Sequence, residues 1–231
     1  MIAVVTGAGR GIGRAIAVAL AKRGCDVALL GRTIESLAEA TEEVLLTGQR
    51  AVAIACDVAD SAAVTAAAVR VHADLGVPDV VVPNAGVVHR VSVAAMTDDQ
   101  WDEVIDVNLK GTFLVTRAFL PRMLDLRRGR FVAVASISAT MGTPLQSAYC
   151  AAKWGTVGFV KSLAEELRGT GLQAMCVMPR LRGHGYAAGK RLRSGDDARG
   201  CRGRRGVPRP RRPRGDERER RRNVRSLRAP P

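Results

Sequence analysis

Short apolar runs alternate strictly with amphipathic helical stretches through the first 179 residues of this 231-residue chain. Six apolar runs predict strands at 2–6, 27–30, 51–55, 79–82, 130–135 and 172–177. Helical periodicity between them predicts helices at about 11–23, 34–46, 61–75, 99–126 and 147–168. Apolar strands that are connected by helices belong to parallel sheets covered on both faces. The pattern therefore predicts an α/β fold with three layers around a doubly wound parallel sheet.

The end of the chain has a different composition. Residues 180–231 contain 19 Lys and Arg but only 5 Asp and Glu, so they account for the whole formal charge of +14. They also contain 8 Gly, 5 Pro and few large aliphatic residues. Such a segment buries too little apolar surface to offset its ordering entropy, which predicts disorder. We therefore divide the chain into a folded domain, 1–179, and a basic tail, 180–231.

Three interpretations of the tail are open. The abrupt change after Pro179 favours a shifted reading frame in a GC-rich gene, which readily yields text rich in Arg, Pro and Gly. The second interpretation is a basic tail that contacts the phosphates of a nucleic acid. It is less favoured because Tyr186 is the only aromatic residue of the tail and supports base stacking poorly. The third is a solvated tail without a partner.

The cysteines and the N-terminal segment bear on location. The five cysteines are odd in number and scattered without a C-x-x-C pair, which favours reduced thiols over disulfides or a zinc site. The three histidines show no metal-ligand spacing, so we expect no metal. The sequence begins without a basic leader, and no apolar run reaches the length of a membrane span. We expect a cytoplasmic protein with no membrane partner.

A glycine-rich turn joins the first predicted strand to the first predicted helix. It reads Thr6-Gly7-Ala8-Gly9-Arg10-Gly11-Ile12-Gly13. Glycines allow the backbone to approach a ligand closely, and the helix N-terminus offers unpaired N–H groups to a pyrophosphate. A tight strand–helix turn without a ligand is the alternative. We predict a dinucleotide site that includes Gly7, Gly9, Arg10, Gly11, Ile12 and Gly13.

The end of the second predicted strand bears on cofactor preference. Gly31 stands where dinucleotide-binding folds place an acidic residue for the ribose of NAD. Arg32 and Arg10 are both available to accommodate the 2′-phosphate of NADP. This arrangement favours NADP(H) over NAD(H), and a solvated Arg32 at a helix start is the alternative.

Two further loops are candidates for the same site. Asp57, followed by Val58, ends the third strand and could accept from an adenine amino group, while helix capping by Asp57 or Asp60 is nearly as well supported. The small residues at 84–86, Asn-Ala-Gly, would let the next loop lie against a ribose. Asn108 and a following glycine are poor residues for a helix interior, so we predict a local irregularity in the helix at 99–126.

Tyr149 and Lys153 are four residues apart on a predicted helix, which places them on one face. An ammonium near a phenol lowers the pKa of the tyrosine, which can then exchange a proton near neutral pH. Ser136 follows the fifth apolar run, thirteen residues before Tyr149, and could hold a carbonyl oxygen during protonation. The Y-x-x-x-K spacing is weak alone, and its value depends on a cofactor site that faces it.

Together these motifs resemble those of the classical short-chain dehydrogenase/reductase family. The stretch at 101–118, W-D-E-V-I-D-V-N-L-K-G-T-F-L-V-T-R-A, looks most similar to β-ketoacyl-acyl-carrier-protein reductases. The matching stretches are T-G-A-G-R-G-I-G at 6–13, N-A-G at 84–86, Asn108, Ser136 and Y-C-A-A-K at 149–153. The resemblance implies a Rossmann-like domain. It also implies an oxidoreductase that transfers a hydride between NADP(H) and a ketone or secondary alcohol, either 3-oxoacyl-thioester-like or another small carbonyl.

The resemblance also implies a role for each catalytic residue. Tyr149 is the general acid in reduction and the base in oxidation, and Lys153 binds the nicotinamide ribose and lowers the pKa of the tyrosine. Ser136 forms a hydrogen bond with the substrate oxygen, and Asn108 anchors a water in the proton relay. Tyr149 and Lys153 also contact the cofactor, as does the turn that begins at Pro179.

The resemblance stops after Pro179. The family continues with a Pro-Gly turn, a segment that holds the carboxamide, a helix that covers the substrate and a seventh strand, whereas Arg180 follows here. We therefore expect the last strand to be lacking, and a protein that binds the cofactor without turnover is the alternative to an active reductase. The helices at 99–126 and 147–168 resemble the family's dimer-forming pair, which implies a homo-oligomer.

Overall fold

The computed structural model describes residues 1–179, which form a six-stranded parallel sheet with helices on both faces. Strands β1 to β6 are Ile2–Thr6, Asp26–Gly31, Ala51–Ala55, Val80–Val82, Gly129–Val134 and Leu172–Val177. Helices α1 to α6 are Gly11–Ala21, Ala38–Leu45, Ser61–Asp74, Asp98–Ile105, Gly111–Asp125 and Ser147–Glu166. The strand order is β3-β2-β1-β4-β5-β6, and the paired strands are all parallel. The predicted Rossmann-like α/β fold is confirmed.

The predictions about the tail lie outside the described residues. They comprise its disorder, the shifted reading frame and the lacking last strand. The domain boundary after residue 179 therefore stays a prediction.

Alternate residues of the central strands enter two different cores. Val5 and Leu29 face the core beneath α1 and α2, whereas Val4 and Leu30 face the core beneath α3, α5 and α6. All four side chains are fully buried. Burial on both faces explains why these strands are apolar throughout.

The predicted helix ends lie within two residues of the observed ones, but two helices are not continuous. The predicted helix at 34–46 begins as a short 3₁₀ turn, Glu35–Leu37, before α2 starts. The predicted helix at 99–126 is interrupted between α4 and α5 by a π-helical turn, Asp106–Lys110. The irregularity predicted at Asn108 is therefore confirmed. A π turn inside a helix frequently marks a functional site.

The direction of winding reverses between β1 and β4. From β1 the chain proceeds to β2 and β3 on one side, and then crosses to β4, β5 and β6 on the other. Parallel α/β sheets bind ligands at the carboxyl ends of the strands on either side of such a switch point.

Within the described residues, none of the helices combines the length and the apolar character needed to cross a membrane.

Candidate active site

Hydrogen bonds tie the glycine turn after β1 to the loop after β4. The buried Thr6 hydroxyl accepts from the backbone N–H groups of Asn84, at 2.9 Å, and Ala85, at 3.0 Å. The side-chain amide of Asn84 donates to the carbonyl oxygens of Thr6, at 2.9 Å, and Gly7, at 3.3 Å. A Cβ atom at Gly13 would overlap the Gly7 carbonyl oxygen, so α1 can approach the turn only because this residue is glycine. Asn84 therefore fixes the shape of the turn.

The N-terminus of α1 is open to a ligand. Gly7 has a φ of +61°, which brings the backbone around toward the start of the helix. Arg10 precedes α1 in an extended conformation and its side chain caps none of the helix N–H groups. The first turn contains no acidic residue, and Ile12 within it is 37% exposed. Gly9 lies against the backbone of Ser36. The N–H groups and the positive end of the helix dipole are thus available to an anionic group such as a pyrophosphate.

Two arginines beside this turn are exposed. Arg10 and Arg32 form no ion pair within residues 1–179. Arg14, by contrast, is engaged by Glu39 and, at 2.6 Å, by Glu43 of α2. A Cβ atom at Gly31 would lie 2.9 Å from a methyl carbon of Leu37, so a larger side chain at that position would require a shift.

The two aspartates after β3 have different roles. Asp60 caps α3, because its carboxylate accepts from the N–H groups of Ala62 at 2.7 Å and Ala63 at 3.3 Å. The Asp57 carboxylate is exposed and accepts from Ala59 N–H at 2.9 Å through one oxygen. Val58 is buried against Gly111, so only its backbone could face a ligand.

Tyr149 and Lys153 lie one turn apart near the start of α6, next to the end of β5. The Lys153 ammonium is buried, donates to the Val134 carbonyl oxygen at 2.9 Å and lies 5.6 Å from the centre of the Tyr149 ring. The Ser136 hydroxyl, just after β5, accepts from the Ser138 N–H at 3.1 Å. The structure therefore brings these predicted residues to one place.

The proton affinities of the pair differ from the sequence-based expectation. Burial raises the pKa of the Tyr149 phenol, and the Ser136 hydroxyl opposes that rise. Burial lowers the pKa of Lys153 to about 8, and the nearby Cys176 thiol opposes that shift. The lowering of the tyrosine pKa that was expected from the lysine is therefore not the net result in this structure. The ammonium lies over the ring and binds Val134, so desolvation of the phenol is the larger effect.

The π turn places Asn108 beside the same lysine. Its side chain is fully buried, and its amide donates to the carbonyl oxygens of Val87 at 2.8 Å and Val104 at 2.9 Å. Its side-chain oxygen has no hydrogen-bond partner within residues 1–179. A Cβ atom at Gly86 would lie 2.6 Å from that oxygen and 3.7 Å from Lys153 Nζ. An unpaired buried acceptor of this kind points to a bound water or ligand hydroxyl.

Similarity to known proteins identifies the family. Residues 1–183 match the family model described as short chain dehydrogenase, which covers most of the chain. The chain belongs to the short-chain dehydrogenase family. The predicted family is therefore confirmed, and the protein is an oxidoreductase of this family.

Several individual proteins are similar to this chain over most of its length. The 3-oxoacyl-acyl-carrier-protein reductase FabG of Escherichia coli strain K12 is 38% identical over 178 residues, which span 77% of this chain and 72% of that protein. FabG of Staphylococcus aureus strain Mu50 is 40% identical with the same coverage. A metagenomic short-chain oxidoreductase, solved in complex with NADP, is 39% identical with a TM-score of 0.75 over 79% of this chain and 83% of that one. Levodione reductase is 31% identical with a TM-score of 0.75 over 77% and 70%, respectively.

The residues present fit a nicotinamide dinucleotide, which short-chain dehydrogenases use. The open N-terminus of α1 suits its pyrophosphate. The space beside Gly86, bordered by the unpaired oxygen of Asn108 and by Lys153, suits hydroxyl groups or water. No cluster of three or more His, Cys, Asp or Glu side chains that could hold a metal ion occurs within residues 1–179.

Several contributing groups were missed from the sequence. The Thr6 hydroxyl orients the loop that contains Asn84, and the position of Thr6 at the end of β1 could have indicated this role. The Val134 carbonyl oxygen and Cys176 could not be recognised from the sequence, because the pairing register of β5 and β6 determines that they lie beside Lys153. Pro179 is placed near the serine, since its carbonyl oxygen accepts from Ile137 N–H at 3.3 Å.

His89 lies in the loop after β4. Its side chain is about one-third exposed, and its Nε2 lies 2.6 Å from a carboxylate oxygen of Glu103 on α4. The histidine therefore connects the loop after β4 to α4.

Proposed function

We propose that this protein is an NADP(H)-dependent reductase that interconverts a ketone and a secondary alcohol. The observation that carries the proposal is the meeting of Ser136, Tyr149, Lys153 and Asn108 at the carboxyl end of the sheet, beside the open N-terminus of α1. The similarity to FabG proteins supports a 3-oxoacyl thioester or a related carbonyl compound as the substrate class.

In the proposed reaction, Ser136 donates a hydrogen bond to the carbonyl oxygen and Tyr149 donates the proton. The nicotinamide supplies the hydride when it is bound. Ser136 would hold the carbonyl oxygen in place, and the proton from Tyr149 would complete the hydroxyl group of the secondary alcohol. Because burial raises the pKa of Tyr149, the phenol is held in the protonated form that a general acid requires.

Lys153 and Asn108 would stabilise and then reprotonate the phenolate. The ammonium lies within reach of the ring and carries its charge below about pH 8, according to its lowered pKa. The unpaired oxygen of Asn108 could hold a water beside Lys153. A proton from solvent would then return to Tyr149 through this water and the lysine.

The cofactor preference is proposed from the turn after β2. Arg10 and Arg32 are exposed and could both contact a 2′-phosphate. Glycine stands at position 31, where an acidic side chain would select NAD. The NADP complex of the metagenomic relative supports the same preference.

We also propose a cytoplasmic homo-oligomer formed through α5 and α6. Phe113 and Trp154 on these helices are 40% and 55% exposed, and Phe113 stacks edge-to-face on Phe159 at 6.2 Å. Exposed aromatic residues are common in interfaces. The cytoplasmic location is supported by four free thiols, which suit a reducing compartment: Cys25, Cys56, Cys150 and Cys176. Sedimentation of the full chain tests the assembly, and Trp154→Glu should shift it toward monomer.

The enzymatic proposal is tested by loss of NADPH absorbance with a panel of ketones that includes 3-oxoacyl thioesters. We expect turnover with NADPH and slower turnover with NADH at equal concentrations. Tight binding of NADPH without turnover of any carbonyl substrate would overturn the proposal.

A further inference from the structure

Leu145 has a backbone conformation that leucine rarely adopts. Its φ is +62°, in the left-handed region that favours glycine. A side chain there crowds the following carbonyl oxygen, which is why non-glycine residues with this conformation are uncommon. Leu145 lies in the loop between Ser136 and Tyr149, four residues before the tyrosine. Strain of this kind concentrates at functional sites.

Backbone hydrogen bonds hold the loop in this shape. The Leu145 carbonyl oxygen accepts from Val91 N–H at 2.9 Å, which connects this loop to the one after β4. Next to it, Gln146 is buried, and its carbonyl oxygen accepts from Cys150 N–H at 2.8 Å in the first turn of α6. Glycine at position 145 could make the same backbone contacts without strain, so the backbone does not explain a leucine.

Core packing does not explain the leucine either. The side chain is 53% exposed. Other large apolar residues on the same two loops are also exposed: Val88 at 42%, Val93 at 75% and Met141 at 56%. The Met141 carbonyl oxygen lies 4.0 Å from the sulfur of Cys150, the residue after Tyr149. Val87 of the loop after β4 packs against the same buried cluster as Tyr149, so both loops lie beside the tyrosine. Exposed apolar residues on loops beside a polar centre are typical of a ligand-binding surface.

We propose that Leu145 is a specificity-determining residue that contacts an apolar arm of the substrate. The arm is an aliphatic chain or ring attached to the carbonyl carbon, and Met141 on the same loop extends the surface that receives it. This inference rests on the proposed ketone reductase function. Each methylene buried against this surface should strengthen binding about fourfold, which corresponds to ~0.8 kcal/mol. The enzyme should therefore prefer long or bulky ketones over small hydrophilic ones.

The test compares the full-length protein with Leu145→Gly and Leu145→Met, using a series of methyl ketones from 2-butanone to 2-octanone. Binding in the presence of NADPH is measured by saturation-transfer NMR titration, independently of turnover. We expect affinity to rise with chain length in the parent protein. Leu145→Gly should lose about tenfold in affinity for 2-octanone and little for 2-butanone. Leu145→Met should restore most of the loss.

Arg127→Gly is the matched control. Arg127 is the other non-glycine residue of 1–179 with a positive φ, +51°, and it lies at the end of α5, outside the site described above. We expect Leu145→Gly to retain or raise the melting temperature, because it relieves backbone strain, and Arg127→Gly to leave ketone binding unchanged. Equal dependence on chain length in the parent and Leu145→Gly proteins, or no binding of any ketone by the parent, would overturn the inference.

Turnover of the same ketones separates the two proposals. Ketone binding that depends on Leu145, with no reduction of these ketones or of any other carbonyl substrate in the panel, would refute the reductase function and leave the contact with the apolar arm standing. Reduction of the ketones that is insensitive to Leu145 would support the reductase function and refute the inference about Leu145.

Discussion

The side-chain oxygen of Asn108 and the ammonium of Lys153 border the same small space beside Gly86. A Cβ atom added to Gly86 would lie 2.6 Å from the oxygen and 3.7 Å from the ammonium nitrogen. Asn108 cannot withdraw easily, because its amide donates to two carbonyl oxygens. Because Gly86 of the N-A-G loop has no side chain, this space stays open for a water molecule or a cofactor hydroxyl.

Gly86→Ala should fill this space and reduce kcat by about tenfold or more, which corresponds to ~1.4 kcal/mol of the activation barrier. The melting temperature should also fall, because a Cβ atom 2.6 Å from the Asn108 oxygen forces one of the two residues to shift. Steady-state kinetics and thermal unfolding check both parts. Gly158→Ala, at an exposed position of α6 with open space around its Cβ, is the control and should be stabilising by about 0.5–1 kcal/mol with kcat unchanged. Unchanged kcat in Gly86→Ala would exclude a role for this space.

Tyr149→Phe should lower the reductase rate by roughly 10²–10⁴-fold, because it removes the proton donor and keeps the ring. NADPH affinity, measured by fluorescence titration, should change little. Tyr186→Phe is the matched control, since Tyr186 is the only other tyrosine and lies outside the described residues. A variant that retains its activity would mean that another group protonates the substrate.

The reductase rate should fall as the pH rises through about 8. Burial lowers the pKa of Lys153 to about 8, so the ammonium is present below this pH and lost above it. A neutral amine stabilises the developing phenolate less than the ammonium does. A profile of kcat against pH with saturating NADPH measures the alkaline limb. A rate that stays constant from pH 7 to pH 10 would argue against a charged lysine in the reaction.

Local patterns were sufficient to predict the strands and the position of the site. The apolar runs at 2–6 and 172–177 match β1 and β6. Strands in a sheet that is covered on both faces are apolar throughout, so a continuous apolar run is enough to locate them. The π turn could be anticipated since Asn108 is unfavourable in a helix interior. The tyrosine pKa could not be predicted, because its direction depends on how deeply α6 packs. The left-handed conformation of Leu145 was likewise hidden, since leucine carries no turn signal and the loop-to-loop contact with Val91 imposes it.

Arg32→Asp should weaken the apparent affinity for NADPH by about tenfold or more, because a carboxylate would replace a cation near the expected 2′-phosphate. The apparent affinity for NADH should be retained or improved, because that cofactor has no 2′-phosphate and an acidic residue can accept from its ribose. KM values for both cofactors on the same preparation provide the internal control. Equal losses for NADPH and NADH would indicate a general disturbance of the turn instead of lost phosphate recognition.

The folded state should lose stability as the pH falls below about 6.5, through the histidine of α3. His72 stacks edge-on against Phe119 at 5.5 Å, and its Nε2 atom is buried without a partner within residues 1–179. Burial lowers the pKa of His72, and the charge of Arg122 adds to the shift. The unfolded chain therefore binds a proton at a higher pH than the folded chain does. The stability contributed by neutral His72 is fully present above the unfolded pKa, about 6.5, and is lost as the pH falls through the folded value.

Urea unfolding at pH 7.5 and pH 5.5 should show this loss in the parent protein. His72→Phe, which keeps an aromatic ring against Phe119, should reduce the difference, and an identical pH dependence in both proteins would assign the loss to other groups.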